Sequence, residues 1–392
     1  MFKILTLNNI SIAGLERFPR VNYEVASEVT HPDAILVRSY KMHGMTIPAT
    51  VKAIGRAGAG VNNIPVSEMT ARGIPVFNAP GANANAVKEL VIAGALLAAR
   101  NLGQAWRFAT GLSGEDPEIT KQVEGGKKGF VGFELPGRTM GVVGLGAIGV
   151  QVANACRALG MKVTGYDPTI TVQSAWKLAS EVEQALSVDD LLSKSDFVTF
   201  HVPLTEATAN TINAERIKLM KSGAVLLNFA RNGIIDDLAV VEALDSGHLY
   251  AYVCDFPSNL LKDHPRVITL PHLGASTKEA EDNCAVMVAE EVSDYLENGN
   301  ITNSVNFPSI NLPRNGGFRI AVINSNVPNM VGQISSDLGG EGLNILDMLN
   351  KSRDEVAVTL LDVDKEPSQK LLDTLASIKG VLSVRCLGRT KA

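Results

Sequence analysis

The sequence predicts an α/β protein in which a doubly wound parallel-sheet domain is inserted into a smaller α/β domain, with an α+β unit at the C-terminus. Three observations predict it. Apolar strand-like runs alternate with amphipathic helices from roughly residue 139 to 275, a pattern that specifies a parallel sheet covered on both faces. A shorter alternation of the same kind fills about the first 95 residues. After a linker rich in Pro, Asn and Gly, the tail reads strand-helix-strand-strand-helix-strand, the split βαβ order of a ferredoxin-like unit.

In the central alternation the strands are MGVV, MKVTGY, DFVTFHV, AVLLNFA, YAYVCDF and VITL, and the helices include VDDLLSKS, ERIKLMKS and DLAVVEALDSG. The first strand runs into Gly144-Leu-Gly146-Ala147-Ile148-Gly149, and a helix opens at once with apolar residues at Ile148, Val152, Cys156 and Leu159. The first glycine permits the tight turn, the second lets the backbone approach a pyrophosphate, and the third lets helix and strand pack closely. The helix N-terminus offers unpaired N–H groups and a positive dipole end to the phosphates. The next strand ends in Asp167, a carboxylate placed to accept ribose hydroxyls and to repel a 2′-phosphate. Strand, glycine turn, helix and terminal Asp together read as a Rossmann unit that binds NAD rather than NADP. Ligands on such sheets lie beyond the carboxyl ends of the strands, and Arg231, Asp255 and His272 all fall there.

The first domain alternates KILTL, NYEVA, AILVR, VKAIGRAG and PVFN with helical stretches, a flavodoxin-like arrangement. A helix from Lys88 to Arg100 is read as crossing into the nucleotide domain, and the long amphipathic stretch after Ala275 as crossing back. The domains are then 1–95 with 285–310 for the outer one, 96–284 for the Rossmann domain and 318–392 for the tail. A cleft between the first two is the expected substrate site.

At 392 residues, 45% hydrophobic and a net charge of −5, the chain is large enough for several cores and carries no signature of nucleic-acid or membrane-surface binding. MFKILTLNN reads as a strand, not a signal peptide, and no apolar run reaches the roughly 18 residues a membrane span requires. Cys156, Cys254, Cys284 and Cys386 are scattered with no CxxC, which fits reduced thiols in the cytoplasm and no metal site.

The glycine fingerprint, Asn228-Phe-Ala-Arg231-Asn-Gly-Ile-Ile-Asp236 and Pro271-His272-Leu-Gly-Ala-Ser-Thr277 resemble motifs of the D-2-hydroxyacid dehydrogenases. Upstream, Arg56-Ala-Gly-Ala-Gly-Val-Asn-Asn63 and Asn78-Ala-Pro-Gly-Ala-Asn83 resemble that family's substrate-domain motifs, and the tail is similar to ACT regulatory domains. That combination implies NAD-dependent oxidation of D-3-phosphoglycerate to 3-phosphohydroxypyruvate, the first step of serine biosynthesis, with feedback by serine. The resemblance implies His272 as acid/base, since a histidine titrates near working pH, and Arg231 as the fork that holds the substrate carboxylate. It implies cofactor contacts at Gly144, Gly146, Ala147, Ile148, Gly149, Asp167, His201, Pro203, Ala230, Arg231, Asp255, His272 and Gly274. Backbone at Gly58, Ala59 and Gly60 would cradle the carboxylate, Asn83 would help seat the substrate, and Arg38, Lys41 and Arg56 would meet the phosphate. Lys127 and Lys128 lie where the family dimerises and would reach a neighbour's phosphate site. Asn326 and Asn344 match effector positions of serine-binding ACT domains, where the ligand sits across a subunit interface; Asn324 stands at a third such position, where a His is usual, and Asn329 replaces a Gly. A homodimer or homotetramer is expected.

One departure stands out. Where the family carries a Glu that orients the histidine, Phe256-Pro257-Ser258 leads to Asn259, and the family's Asp is Cys254. An amide can orient an imidazole but cannot stabilise imidazolium as a carboxylate does. Either His272 works without a charged partner, or Asp255 or Asp263 substitutes, or the activity is lost; the second is favoured. Rival readings are a reductase for hydroxypyruvate, glyoxylate or another 2-keto acid, and a non-catalytic NAD-sensing protein.

Overall fold

The computed structural model describes residues 1–389. It contains three sheets. The first is built from β1 (Phe2–Leu7), β2 (Tyr23–Ala26), β3 (Ala34–Val37), β4 (Ala53–Arg56) and β5 (Val76–Asn78), all parallel, in the order β2-β1-β3-β4-β5. Strand residues alternate between two apolar layers: Ile4 and Leu36 face one, Leu5, Ile35 and Val37 the other. That period of two is what a sheet buried on both faces requires.

The second sheet comprises β6 (Thr139–Val143), β7 (Lys162–Tyr166), β8 (Glu183–Gln184), β9 (Phe197–Phe200), β10 (Ala224–Asn228), β11 (Leu249–Cys254) and β12 (Val267–Thr269). Its order, β12-β11-β10-β9-β6-β7-β8, reverses direction between β6 and β9. This is the doubly wound arrangement whose switch point lies beside the glycine turn after β6.

The third sheet holds β13 (Phe318–Ser325), β14 (Ile345–Arg353), β15 (Val356–Val363) and β16 (Val381–Arg389), antiparallel in the order β14-β15-β13-β16. Helices Met330–Gly340 and Gln369–Ser377 cover one face through Ile334, Leu338, Leu371 and Leu375. The other face, with Ala321, Ile323, Val358 and Leu360, shares an apolar cluster with Val292, Tyr295 and Leu296 of the helix Lys278–Asn298. Arg319, fully buried, reinforces that junction. Its Nε and Nη2 grip Asp362 at 2.8 and 2.7 Å, and its remaining donors reach the carbonyls of Asn298, Leu312 and Pro313.

The chain divides into two compact units, Met1–Asn83 with Lys278–Ala392, and Ala84–Thr277. These boundaries differ from the sequence reading, which placed them after residues 95 and 284. The helix Ala84–Ala99 begins before Lys88, and its Val87, Val91, Ala95 and Ala98 pack in the second sheet's core, so the whole helix belongs to that unit. The helix Lys278–Asn298 packs through Cys284, Ala285 and Val288 on the first sheet, so all of it belongs to the other. The tail is not separate: its sheet shares that unit's core.

Candidate active site

The candidate residues divide between the two units, and each group is built locally. In the second unit, β6 ends at Gly144, whose φ of +91° is open to glycine; a Cβ there would lie 2.6 Å from the His201 carbonyl. A Cβ on Gly149 would collide with the Gly144 carbonyl, so helix and strand approach as closely as backbone allows. At Gly146 nothing lies within 4 Å of where a Cβ would stand. Gly146 is also the N-cap of the helix Ala147–Ala158, and no side chain caps it. An open backbone beside uncapped N–H groups fits a pyrophosphate. Asp167, at the tip of β7, accepts Leu145 N at 2.8 Å through Oδ2 and Thr169 N at 2.9 Å through Oδ1. The carboxylate is thus anchored to the glycine turn itself. His201, just past β9, contacts the Thr199 hydroxyl through Nε2 at 3.2 Å, while its Nδ1 is buried without a partner. Burial drives its pKa down to about 3, so the ring is neutral. The residues present therefore fit a dinucleotide. Pro203 is exposed at the start of the loop that follows.

The β10 and β11 ends carry the candidate chemistry. Arg231 is exposed, with Nη1 on the Ala230 carbonyl at 2.6 Å. Its turn is held by Asn228, whose Nδ2 donates to the Arg231 carbonyl (3.0 Å) and whose Oδ1 accepts Ala230 N (3.1 Å). Asn228 was part of the sequence motif, yet this clamping role was missed; a polar residue ending a buried strand was the available signal. His272 is exposed and its ring lies 5.2 Å from that of Phe256, centroid to centroid.

Asp255 is buried at the end of β11, and burial pushes its carboxyl above the usual range. His272 is the strongest influence in the other direction, favouring the carboxylate. Neither oxygen makes a hydrogen bond of normal geometry. The backbone N–H groups of Asp255 itself, Gly274 and Leu273 approach more loosely and favour the charged form. Gly274 is buried there, 3.9 Å from Asp255 Oδ2 at its would-be Cβ. Asp263, the other candidate partner, is 86% exposed and faces Lys262 at 3.9 Å. Asn259 is exposed.

In the first unit, Arg38 pairs with Glu281 at 2.6 Å, and Arg56 Nε donates to the Arg38 carbonyl at 3.1 Å. Lys41 is exposed. The Gly58 N–H is engaged by the Arg56 carbonyl at 2.7 Å, where the chain turns tightly. The Gly58 carbonyl accepts Ala79 N, and the Asn78 amide donates to the Ala59 carbonyl, which joins the two sequence motifs. Gly60 is half-buried beside them. Asn83 is half-buried with Oδ1 unpartnered. Lys127 pairs with Glu124 on an exposed helical turn, and Lys128 follows it.

Of the three tail asparagines, Asn324 is 1% exposed; its amide donates to the Ser325 carbonyl and its Oδ1 is buried without a partner. Asn326 donates to the Asp354 carbonyl and Asn344 is exposed. They stand at opposite ends of the sheet, since Ser325 pairs with Val356 whereas Ile345 pairs with Val363.

Comparison with known proteins agrees with this geometry. Residues 102–274 match the family model described as D-isomer specific 2-hydroxyacid dehydrogenase, NAD binding domain. The chain is 32% identical over 351 residues to the D-3-phosphoglycerate dehydrogenase of Escherichia coli, covering 86% of this chain and 81% of that protein. The chain belongs to the D-2-hydroxyacid dehydrogenase family. It is also 38% identical over 297 residues to the D-3-phosphoglycerate dehydrogenase of Archaeoglobus fulgidus, with 73% of this chain and 54% of that protein covered. It therefore spans little more than half the length of that relative. The NAD+-bound 3-phosphoglycerate dehydrogenase of Entamoeba histolytica superposes with a TM-score of 0.60 at 25% identity, over 78% of this chain and 98% of that one. NAD is the cofactor of the domain. Among the described residues no group of His, Cys, Asp and Glu could hold a metal, and no helix is long and apolar enough to cross a membrane.

Proposed function

We propose that this dehydrogenase oxidises D-3-phosphoglycerate at C2 to 3-phosphohydroxypyruvate, the first step of serine biosynthesis. The observation that carries this reading is Asp255, a buried carboxyl with both oxygens unpartnered, on which His272 is the strongest influence favouring the charged form. When bound, NAD supplies the hydride acceptor. His272 takes the proton of the C2 hydroxyl, and Asp255 stabilises the imidazolium that results, a role the amide of Asn259 could not fill. Arg231 holds the substrate carboxylate in a planar fork, with Ala59 and Gly60 backbone and Asn83 as further substrate contacts. Lys41, Arg38 and Arg56 are assigned to the phosphate, and Arg38 would exchange Glu281 for it. Gly144, Gly146, Ala147, Ile148 and Gly149 hold the pyrophosphate and Asp167 the ribose, while Ala230, Gly274, His201 and Pro203 border the cofactor.

The tail is read as an ACT domain that binds serine through Asn326 of one copy and Asn344 of a second, which their placement at opposite ends of the sheet supports. A homodimer or homotetramer follows. Exposed Trp106 and Val131, at 69% and 76%, support pairing of the nucleotide domains. The protein is assigned to the cytoplasm.

The test is NADH oxidation with 3-phosphohydroxypyruvate beside hydroxypyruvate and 2-ketoglutarate, each with and without L-serine. Fast turnover of the phosphorylated acid, slowed by serine, is the expected result. Preference for an unphosphorylated acid overturns the substrate, and indifference to serine overturns the effector.

A further inference from the structure

The unit that carries the first sheet holds a cavity of about 640 Å³ that the reading above does not use. Phe2, which opens β1, and Lys52, just before β4, line it from the sheet. Glu297 near the end of the helix Lys278–Asn298, Arg314 in the linker and Arg385 in β16 add to its wall. β1, β3 and β4 are parallel, so the cavity lies at the edge where these strands begin. Arg38, Arg56 and Asn78 stand at the edge where strands end. Lys52 and Arg56 are separated by the length of β4, about 13 Å, so the cavity is distinct from the assigned substrate residues.

Among the described lining residues, Lys52, Arg314 and Arg385 are matched by one acid, Glu297. Glu297 Oε1 already accepts the Tyr23 hydroxyl at 2.5 Å. Lys52 pairs with Asp33, also at 2.5 Å. Arg314 Nη2 donates to the Gly388 carbonyl, and burial with the nearby Arg319 guanidinium lowers Arg314 from its ordinary value, a mark of crowded positive charge. Arg385 is the decisive group. Its Nη2 donates to the Tyr295 carbonyl at 2.8 Å, and the guanidinium lies 4.2 Å from the centre of the Tyr295 ring, so both of these partners are neutral. Its Nη1 is buried and has no hydrogen-bond partner. A buried donor left open costs stability, and a guanidinium fork is suited to an oxyanion that would fill it. Val21, Leu296 and Leu387 give the cavity an apolar lining as well.

We propose that this cavity binds a dianionic phosphate group, free or carried on a small apolar body, with Arg385 as its main ligand and Arg314 and Lys52 beside it. The volume lies in the range of small-molecule sites, about 300–1,000 Å³, which leaves room for an ester. The bound group would bridge the linker, β16 and the start of β4, and so tie the tail sheet to the first sheet. Binding the folded chain alone, it would raise stability by mass action. None of these three residues except through the fold serves the assigned reaction, so the site holds or fails without it.

Isothermal titration of the full chain, in chloride buffer of fixed ionic strength, tests this with inorganic phosphate and phenyl phosphate as probes. Arg385→Gln, which keeps a donor for the Tyr295 carbonyl, is expected to weaken binding about tenfold and to abolish the rise in Tm that phosphate gives the wild type. Arg314→Gln, in the linker, is expected to weaken binding severalfold and gives the same reading if Arg385→Gln folds poorly. Arg38→Gln, among the assigned substrate residues, is expected to leave this affinity unchanged. Tighter binding of phenyl phosphate assigns an ester and equal affinities assign free phosphate; either supports the site. Affinity lost in Arg38→Gln but kept in Arg385→Gln and Arg314→Gln puts the anion on the substrate residues and overturns the site. Absence of binding by the wild type at about 10 mM of either probe overturns it too.

Discussion

Asp362 and Asp255 are both aspartates about one per cent exposed, and they are held in opposite ways. Asp362, in the third sheet, receives a bidentate guanidinium from Arg319, whose other donors also find carbonyls. Asp255, at the end of β11, has no hydrogen bond of normal geometry on either oxygen, and the strongest influence favouring its charged form is His272, which is itself exposed. A fully satisfied buried carboxylate supports the fold. One left short of partners costs stability and keeps the capacity to bind or stabilise a proton nearby. The two sites show that burial alone does not separate structure from function; the state of the lone pairs does.

The comparison breaks first at Asp362. Removing it as Asp362→Ala leaves Arg319 buried and uncompensated, and should cost about 3–5 kcal/mol in denaturant unfolding. Turnover of the molecules that stay folded should be unchanged; a loss below 1 kcal/mol would show that the pair contributes little. Asp255→Asn should do the reverse, cutting kcat about 10²-fold or more. Its stability should hold or rise, because a carboxyl whose folded pKa is raised destabilises the fold when ionised at neutral pH. Equal losses of stability in the two variants would erase the distinction.

A third buried acid sharpens it. Glu291, in the helix Lys278–Asn298, is pushed by burial up to about 8, with the Asn303 amide bond on Oε1 (2.6 Å) opposing and Oε2 unpartnered. Its folded pKa lies above the unfolded value, so its contribution is fully present below about pH 4.5 and is lost as pH rises through about 8. Tm should therefore fall between about pH 4.5 and 8 and level off above that, and Glu291→Gln should flatten that fall; a variant with the wild-type slope would assign the dependence elsewhere. The smallest effect is expected at Asp167. Asp167→Ala should weaken NAD binding and narrow its advantage over NADP by about tenfold, read from the ratio of kcat/KM values; an unchanged ratio would leave Asp167 as an anchor of the glycine turn only.

Much of this was legible in the sequence. The glycine spacing, the apolar alternation and the tail's element order each reflect local rules, so the strands and the Asp167 position follow from them directly. The boundaries were not legible, because Ala84–Ala99 and Lys278–Asn298 are mixed in pattern and only packing decides which sheet claims each. Asp255 and Asp263 also needed three dimensions to tell apart: both lie in one stretch of chain, and only Asp255 is buried. Asn324 shows a related limit. Motif matching gives its residue type, whereas its burial, with Oδ1 left unpartnered, is visible only in the fold.

The apolar cluster shared by the first sheet's long helix and the third sheet has a consequence for modularity. Regulatory units of multidomain enzymes are often treated as detachable cassettes. Here Ala321, Ile323, Val358 and Leu360 fill one side of a layer whose other side is Val292, Tyr295 and Leu296. Cutting the chain in the 311–317 segment would part the two sides of that layer. It would uncover half a core and take the Arg319 guanidinium away from the Asn298 carbonyl. The tail sheet is thus a wall of the unit that carries the first sheet, and removing it should lower the stability of that unit.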